Sequence, residues 1–278
     1  MVRILGFLVG LGFVFLAAWS LLWGAIAYVG DPPEETVEHR FHQHARHISY
    51  PSDGPFGRYD RRQLQRGFQV YREVCASCHG LSFVAFRDLH ALGYTEAEVR
   101  AIADQWPVQI ASLNPETGEP ATRKPIPADR IPSPYANEVM ARAANNNALP
   151  PDLSLIVKAR EGGAPYVESL LTGYRAPPAD LPAENRPGPG LHYNPYFANL
   201  NIAMPPPITA DGQVTYAPGN PAPTRAQMAH DVSAFLTWAA EPRLGERKNA
   251  GLYTLIFLFV GTLLAYMAYQ NVWAGRKH

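Results

Sequence analysis

Two stretches of this chain carry no charged residue: Ile4 to Gly30 and Ala250 to Ala274. A helix needs roughly 20 apolar residues to cross a bilayer, so each run is long enough to do it. The competing reading is a core helix of a water-soluble domain, and the uninterrupted length of the second run argues against it. All 27 prolines fall between the two runs, in a region that is otherwise polar. The layout implied is a water-facing domain held at a membrane.

The first run has two readings, which stay open. Arg3, the apolar core and Ala25-Ile26-Ala27 fit a signal peptide with a small-residue cleavage site, but the core exceeds the usual roughly 7–15 residues. A retained anchor suits that length better. The second run follows Glu246-Arg247-Lys248, and Tyr266, Tyr269 and Trp273 lie near its far end as an interfacial aromatic belt. Cations flank both ends, with Arg243, Arg247 and Lys248 on one side and Arg276 and Lys277 on the other. Charge therefore does not orient this helix.

Lys plus Arg and Asp plus Glu each total 24, so the net charge is zero with neutral histidines. Nucleic-acid binding, which needs a basic surface, is not indicated. The only two cysteines are Cys75 and Cys78, which excludes a disulfide-stapled framework. Both belong to Cys75-Ala76-Ser77-Cys78-His79, the C-x-x-C-H attachment motif of c-type haem. Residues three apart share one face of a helical turn, so both thiols can meet the two vinyl groups of one porphyrin. His79 then offers an imidazole nitrogen to the iron. A thioredoxin-like C-x-x-C would need a βαβ setting, and the upstream residues do not read as a strand. Zinc would need more ligands at suitable spacing.

The flanks agree with the haem reading. Asp60 to Val74 is expected to be helical, with Leu64, Phe68, Tyr71 and Cys75 on one stripe. Arg225 to Ala240 is expected to be a second helix, with Met228, Val232, Phe235, Leu236 and Ala239 on its apolar stripe. The pair is similar to class I cytochromes c, where an N-terminal helix ending in the haem motif crosses a C-terminal one. Gly67 would permit a close crossing, against Phe235 or Trp238.

An electron-carrying haem usually has two protein ligands, and a thioether raises its potential because soft sulfur favours ferrous iron. Of five methionines, Met1 and Met267 belong to apolar segments, Met228 to a core stripe and Met140 to a helix before Arg142. Met204 stands in Asn201-Ile202-Ala203-Met204-Pro205-Pro206-Pro207, where three prolines stiffen the backbone. It is the best candidate for the sixth ligand.

Four stretches, in order, now resemble the cytochrome c1 family: Arg66 to His79, Ala141 to Ser154 (Ala141-Arg142-Ala143-Ala144-Asn145-Asn146 … Leu149-Pro150-Pro151-Asp152-Leu153-Ser154), Ile202-Ala203-Met204-Pro205 and Asp231 to Pro242. An apolar C-terminal run follows them, and the set spans about residues 55–278. The resemblance implies a mainly α fold: a class I cytochrome c core with loop insertions, a C-terminal transmembrane helix and a further N-terminal one if residues 1–30 are retained. It implies one haem c attached through Cys75 and Cys78, with His79 and Met204 as axial ligands. Arg142 would pair with a haem propionate, and Pro151 and Tyr166 would line the pocket. The partners implied are cytochrome b, the Rieske iron–sulfur protein as electron donor, a soluble cytochrome c as acceptor, and membrane lipid, within a ubiquinol–cytochrome c (bc1) reductase. The chain itself would make and break no bonds.

The expected division is an apolar segment at 1–30, a polar His-rich linker at 31–54, a periplasmic cytochrome c domain at 55–246, an anchor at 247–274 and a cytoplasmic tail at 275–278. The membrane would be the cytoplasmic one. Two departures from the family pattern stand out. Asn147 replaces a common glycine, which suggests a left-handed backbone that Asn tolerates. The cysteine pair that some bacterial relatives carry before the axial Met is absent, so packing or proline must hold that loop. Ala176 to Gly190 is expected to be a long loop facing a partner or solvent. His39, His42, His44 and His47 could converge on a metal, although a polar linker at the membrane surface explains them more simply. Other readings are a free membrane-anchored carrier, a c-type subunit of an oxidase or dehydrogenase, and a haem sensor with an open sixth position.

Overall fold

The computed structural model describes residues 2–32 and 35–276. Two residues of the expected tail, 277 and 278, and two of the expected linker, 33 and 34, lie outside the described residues. The chain divides into two compact units, residues 1–41 and 42–278.

The first unit holds α1 (Val2–Gly30), 29 residues with a mean hydropathy of 2.3 over its most apolar window and no buried side chain. At 1.5 Å per residue such a helix is about 43 Å long, enough to cross a bilayer. The short α2 (Val37–Phe41) follows, begun by the Thr36 hydroxyl, which accepts from the His39 N–H at 3.2 Å.

The second unit runs through α3 (Arg61–Val70), β1 (Leu81–Ala85), α4 (Glu96–Asp104), β2 (Ile110–Leu113), β3 (Pro120–Arg123) and β4 (Arg130–Ile131). It continues with α5 (Glu138–Ala144), α6 (Ile156–Ala159), α7 (Gly163–Thr172), β5 (His192–Tyr193), β6 (Asn201–Ile202), α8 (Arg225–Ala240) and α9 (Leu244–Trp273). The strands form short antiparallel pairs, β1 with β4, β2 with β3 and β5 with β6. The fold is mainly helical, as expected from the sequence.

The crossing of α3 and α8 organises the core. Asp60 starts α3 by accepting from the Arg62 N–H at 2.9 Å, and Thr224 starts α8 by accepting from the Gln227 N–H at 3.1 Å. Leu64, Phe68 and Tyr71 meet Met228, Val232 and Phe235, and all six are buried. Phe235 lies 5.6 Å from Phe68 and 5.7 Å from Tyr71 between ring centroids. Gly67 is where the backbones touch: a Cβ there would sit 2.1 Å from the Asp231 carbonyl oxygen and 2.6 Å from the Phe235 Cβ. The crossing therefore falls one turn earlier on α8 than Trp238.

A polar bond reinforces the contact. The Arg66 guanidinium donates to both oxygens of the fully buried Asp231 carboxylate, at 2.8 and 3.0 Å. Asn220 accepts a third bond from Arg66, and Gln227 donates a fourth to Asp231. With its lone pairs satisfied, this buried charge is tolerable, and removing either partner would strand the other.

The helix expected at 60–74 is regular only to Val70. Tyr71–Cys75 forms a π turn, closed by Ala76 N–H donating to the Tyr71 carbonyl at 2.8 Å. The π turn carries the motif cysteines away from the regular α-helical register. At the other end of the unit, α9 is 30 residues long with a mean hydropathy of 1.9 over its most apolar window, and only Leu244 is buried.

Candidate functional site

The motif turn is tightly tied. The N–H groups of Cys78 and His79 both donate to the Cys75 carbonyl, at 3.1 and 2.9 Å. The Ser77 hydroxyl donates to the Val74 carbonyl at 3.0 Å, and the Tyr71 hydroxyl donates to the His79 carbonyl at 3.1 Å. Cys75 and Cys78 are both free thiols and half-buried. Burial pushes the Cys75 thiol up to about 12, with the nearby Cys78 adding to it. That keeps it protonated and a poor nucleophile by itself.

His79 is oriented from the loop at 150–154. Its Nδ1 lies 2.7 Å from the Pro151 carbonyl oxygen. A carbonyl only accepts, so Nδ1 carries the hydrogen and Nε2 keeps its lone pair. Burial lowers the His79 pKa against the opposing pull of the Pro151 carbonyl and Asp152, so the ring stays neutral. Pro151 thus acts through its main-chain oxygen, and its ring faces solvent.

The loop that presents Pro151 is latched to the segment after the motif. Leu153 N–H donates to the Gly80 carbonyl at 2.9 Å. Asp152 accepts from the Ser82 N–H and from the Ser154 N–H, each at 2.8 Å. The Ser154 hydroxyl accepts from the Phe83 N–H at 3.0 Å. Burial would raise the Asp152 pKa, but hydrogen bonds from Ser154 and Ser82 outweigh it and hold the carboxyl below the usual range.

Met204 is half-buried in the loop after β6, and its carbonyl accepts from the Tyr174 hydroxyl at 3.1 Å. The residues before it are fixed without a disulfide. Asn201 pairs in β6 with Tyr193 and donates from its side chain to the Asn185 carbonyl at 2.8 Å. Leu200 takes a left-handed φ of 67°, closed by Asn194 N–H donating to its carbonyl at 2.7 Å. Arg186 staples the preceding loop to itself through the Leu181 and Ala179 carbonyls. The long loop expected at 176–190 is thus tied to itself, and of its residues only Leu181 is buried. Gly190, at its end, lies so close to the Asn146 side chain that a Cβ would meet it at 2.1 Å.

Arg142 sits exposed on α5, and its guanidinium donates to the Asn147 carbonyl at 3.1 Å, with the rest of the fork uncommitted among the described residues. Asn146 and Asn147 both have left-handed φ, at 50° and 62°, the conformation expected where the glycine is missing. Tyr166, on α7, is half-buried against the main core, and burial raises its hydroxyl pKa. It is near enough to Tyr174 to raise that hydroxyl in turn, though burial is the larger cause.

The chain matches the Cytochrome C1 family over residues 50–276. The chain belongs to this family. It is 47% identical over 234 residues to the mitochondrial cytochrome c1, heme protein, of Saccharomyces cerevisiae, covering 84% of this chain and 74% of that one. It is 45% identical to the cytochrome c1 of Rhodospirillum rubrum, covering 81% of this chain and 86% of that one. The cytochrome c1 of Blastochloris viridis is 44% identical over 250 residues.

Within this member of the cytochrome c1 family, the structure brings His79 and Pro151 into contact, and Tyr166 to Tyr174, whose hydroxyl holds Met204 in place. Tyr71 was named only for the apolar stripe, and its hydroxyl reaches His79, eight residues on; Asp152, Tyr174 and Asn201 were not singled out from sequence. Each acts through a main-chain group distant in sequence, which no local pattern marks. Asp152 did stand inside a family stretch, and that was its only signal. Among the described residues no group of three or more His, Cys, Asp or Glu side chains is placed to hold an ion.

Proposed function

We propose that the chain is the electron-transfer subunit of a ubiquinol–cytochrome c reductase (bc1) complex, carrying one haem c bound through thioethers to Cys75 and Cys78. The observation that carries the reading is the His79 ring, neutral, fixed by the Pro151 carbonyl and left with a free Nε2 lone pair, directly after two unbridged thiols. An imidazole and a thioether are the donor set for a low-spin electron-carrying iron. His79 and Met204 are assigned as its axial ligands, Arg142 as the partner of a propionate, and Tyr166 and Pro151 as pocket residues. When bound, the haem supplies a one-electron ferric/ferrous couple.

The chain's own residues hold that couple still. The Pro151 carbonyl restrains rotation of the His79 ring and holds the hydrogen on Nδ1, which leaves Nε2 as the free donor, while burial keeps the ring neutral. Tyr174 and Asn201 fix the Met204 loop, so the sulfur position need not change between redox states. The uncommitted part of the Arg142 fork suits a carboxylate, which it would bind bidentately. The electron would come from a Rieske iron–sulfur protein and leave to a soluble cytochrome c, with cytochrome b as neighbour. The domain at 55–246 is assigned to the periplasmic side, with α9 as its anchor in the cytoplasmic membrane and, if residues 1–30 persist, α1 as a second.

Met204→Leu tests the ligand assignment. The variant should keep its haem through denaturation and extraction, because the thioethers are untouched, while its reduction potential falls substantially. An unchanged potential would assign the sixth position to another residue.

A further inference from the structure

We propose that the head of α9 forms a binding site for the phosphate of an anionic phospholipid, built from Arg58, Arg61 and Arg243. The inference rests on α9 lying in the bilayer and goes beyond the electron-transfer reading. A cavity of about 360 Å³ opens where α9 leaves the domain. Its buried apolar lining is Leu64 and Trp238, and the three arginines that line it are exposed. Among the described residues the only acidic one lining it is Glu246, whose carboxylate is 3.9 Å from Arg243 at two highly exposed side chains. Arg58 meets only the Asn249 side-chain oxygen, at 3.5 Å, and Arg61 pairs with no carboxylate among the described residues. The lining is therefore net cationic, and guanidinium groups bind phosphate oxygens well.

The height of this cavity matches a headgroup. The charge-free run begins at Ala250, immediately after Asn249 in its lining. Lys248 ties the neighbouring loop to the same level, donating to the carbonyls of Ser52 and Gly54 at 2.6 Å each and of Gly57 at 3.3 Å. That loop presents Phe56 with 75% of its surface exposed, an aromatic placed where a membrane interface accepts one. A buried apolar lining beside an apolar helix, exposed arginines and an exposed phenylalanine at one level suit a lipid better than a small soluble anion. Anionic lipid is attracted to Arg and Lys side chains held near the membrane surface.

The test is native mass spectrometry of the full haem-loaded chain in detergent, with phosphatidylglycerol, phosphatidylcholine or inorganic phosphate added. The expected result is one retained phosphatidylglycerol, held at least tenfold better than phosphatidylcholine. Combined Arg58→Gln, Arg61→Gln and Arg243→Gln should lower that retention by about tenfold or more. Arg225→Gln, an exposed charge on the start of α8, should leave it unchanged. Equal retention of the two lipids, or retention unaffected by the triple change, would overturn the site. Displacement of the lipid by an equal concentration of inorganic phosphate would overturn the lipid as its occupant. The triple variant should stay in carbonate-washed membranes; its loss from them would instead overturn the anchor reading beneath the proposal.

Discussion

Replacing Gly67 with alanine sets two opposed effects against each other. In an isolated helix alanine is better than glycine by about 1 kcal/mol. At the α3–α8 crossing, however, the new methyl would sit 2.1 Å from the Asp231 carbonyl oxygen and 2.6 Å from the Phe235 Cβ, where ordinary contact begins at 3.4 Å. Neither neighbour is a flexible tip: one is main chain and the other the root of a fully buried ring. Relief needs the helices to separate by about 1 Å, and overpacking of this kind costs about 1–3 kcal/mol or more. With both contacts below 3.0 Å the cost falls in the upper part of that range, about 2–3 kcal/mol, so the steric effect wins by about 1–2 kcal/mol, or a midpoint lower by roughly 2–8 °C for a domain of this size. Thermal unfolding of the full chain in detergent, followed by tryptophan fluorescence, reads it, because buried Trp238 stacks on Phe235 at 5.7 Å. A midpoint equal to or above that of the parent would refute the crossing geometry.

A second perturbation concerns Tyr50, which donates to Glu168 at 2.6 Å and stacks on His230 at 4.6 Å, while the His230 Nδ1 lies 2.8 Å from the same carboxylate. The bond to Glu168 raises the His230 pKa against burial and Arg66, with Asp231 adding to the rise. A raised folded pKa gives stability that is full below about pH 6.5 and lost as pH climbs through the folded value; the melting midpoint should therefore fall as pH rises above about 6.5, and the dependence should flatten in His230→Gln. Asp152→Ala removes two main-chain hydrogen bonds and should loosen the Pro151 loop by about 1–2 kcal/mol. On the proposed ligation it should broaden the pH range over which His79 leaves the haem iron, read by absorbance during acid titration. Because the Asp152 pKa is lowered on folding, its support is present at neutral pH and fades as acid titrates it below about pH 4.

Much of the architecture was legible in local patterns. The Arg225–Ala240 stripe marked α8 to the residue, since a 3.6-residue period is a local signal. Asn147 was readable as left-handed because a missing glycine leaves few residue types that tolerate the conformation. The π turn was not readable, because Tyr71–Cys75 keeps the apolar spacing of an α-helix while its hydrogen bonds slip. The hairpin of β2 and β3 was also missed; its four-residue strands alternate half-buried with exposed residues, and its turn resembles any proline-rich loop of this chain. At the candidate site the covalent and ligand candidates were legible, whereas the groups that orient them were not. Asp152, Tyr174 and Asn201 act on main-chain atoms from 16 to 70 residues away, and such pairings exist only once the chain has folded.

The central claim is that this chain carries a covalent haem c inside a bc1 complex. Its most direct test is a reduced-minus-oxidised visible spectrum of the protein drawn gently from its native membranes by a tag. The account predicts a c-type band accompanied by b-type haem bands in the same assembly. A c-type band alone would contradict membership of the complex, and the absence of any c-type band would contradict the haem assignment itself.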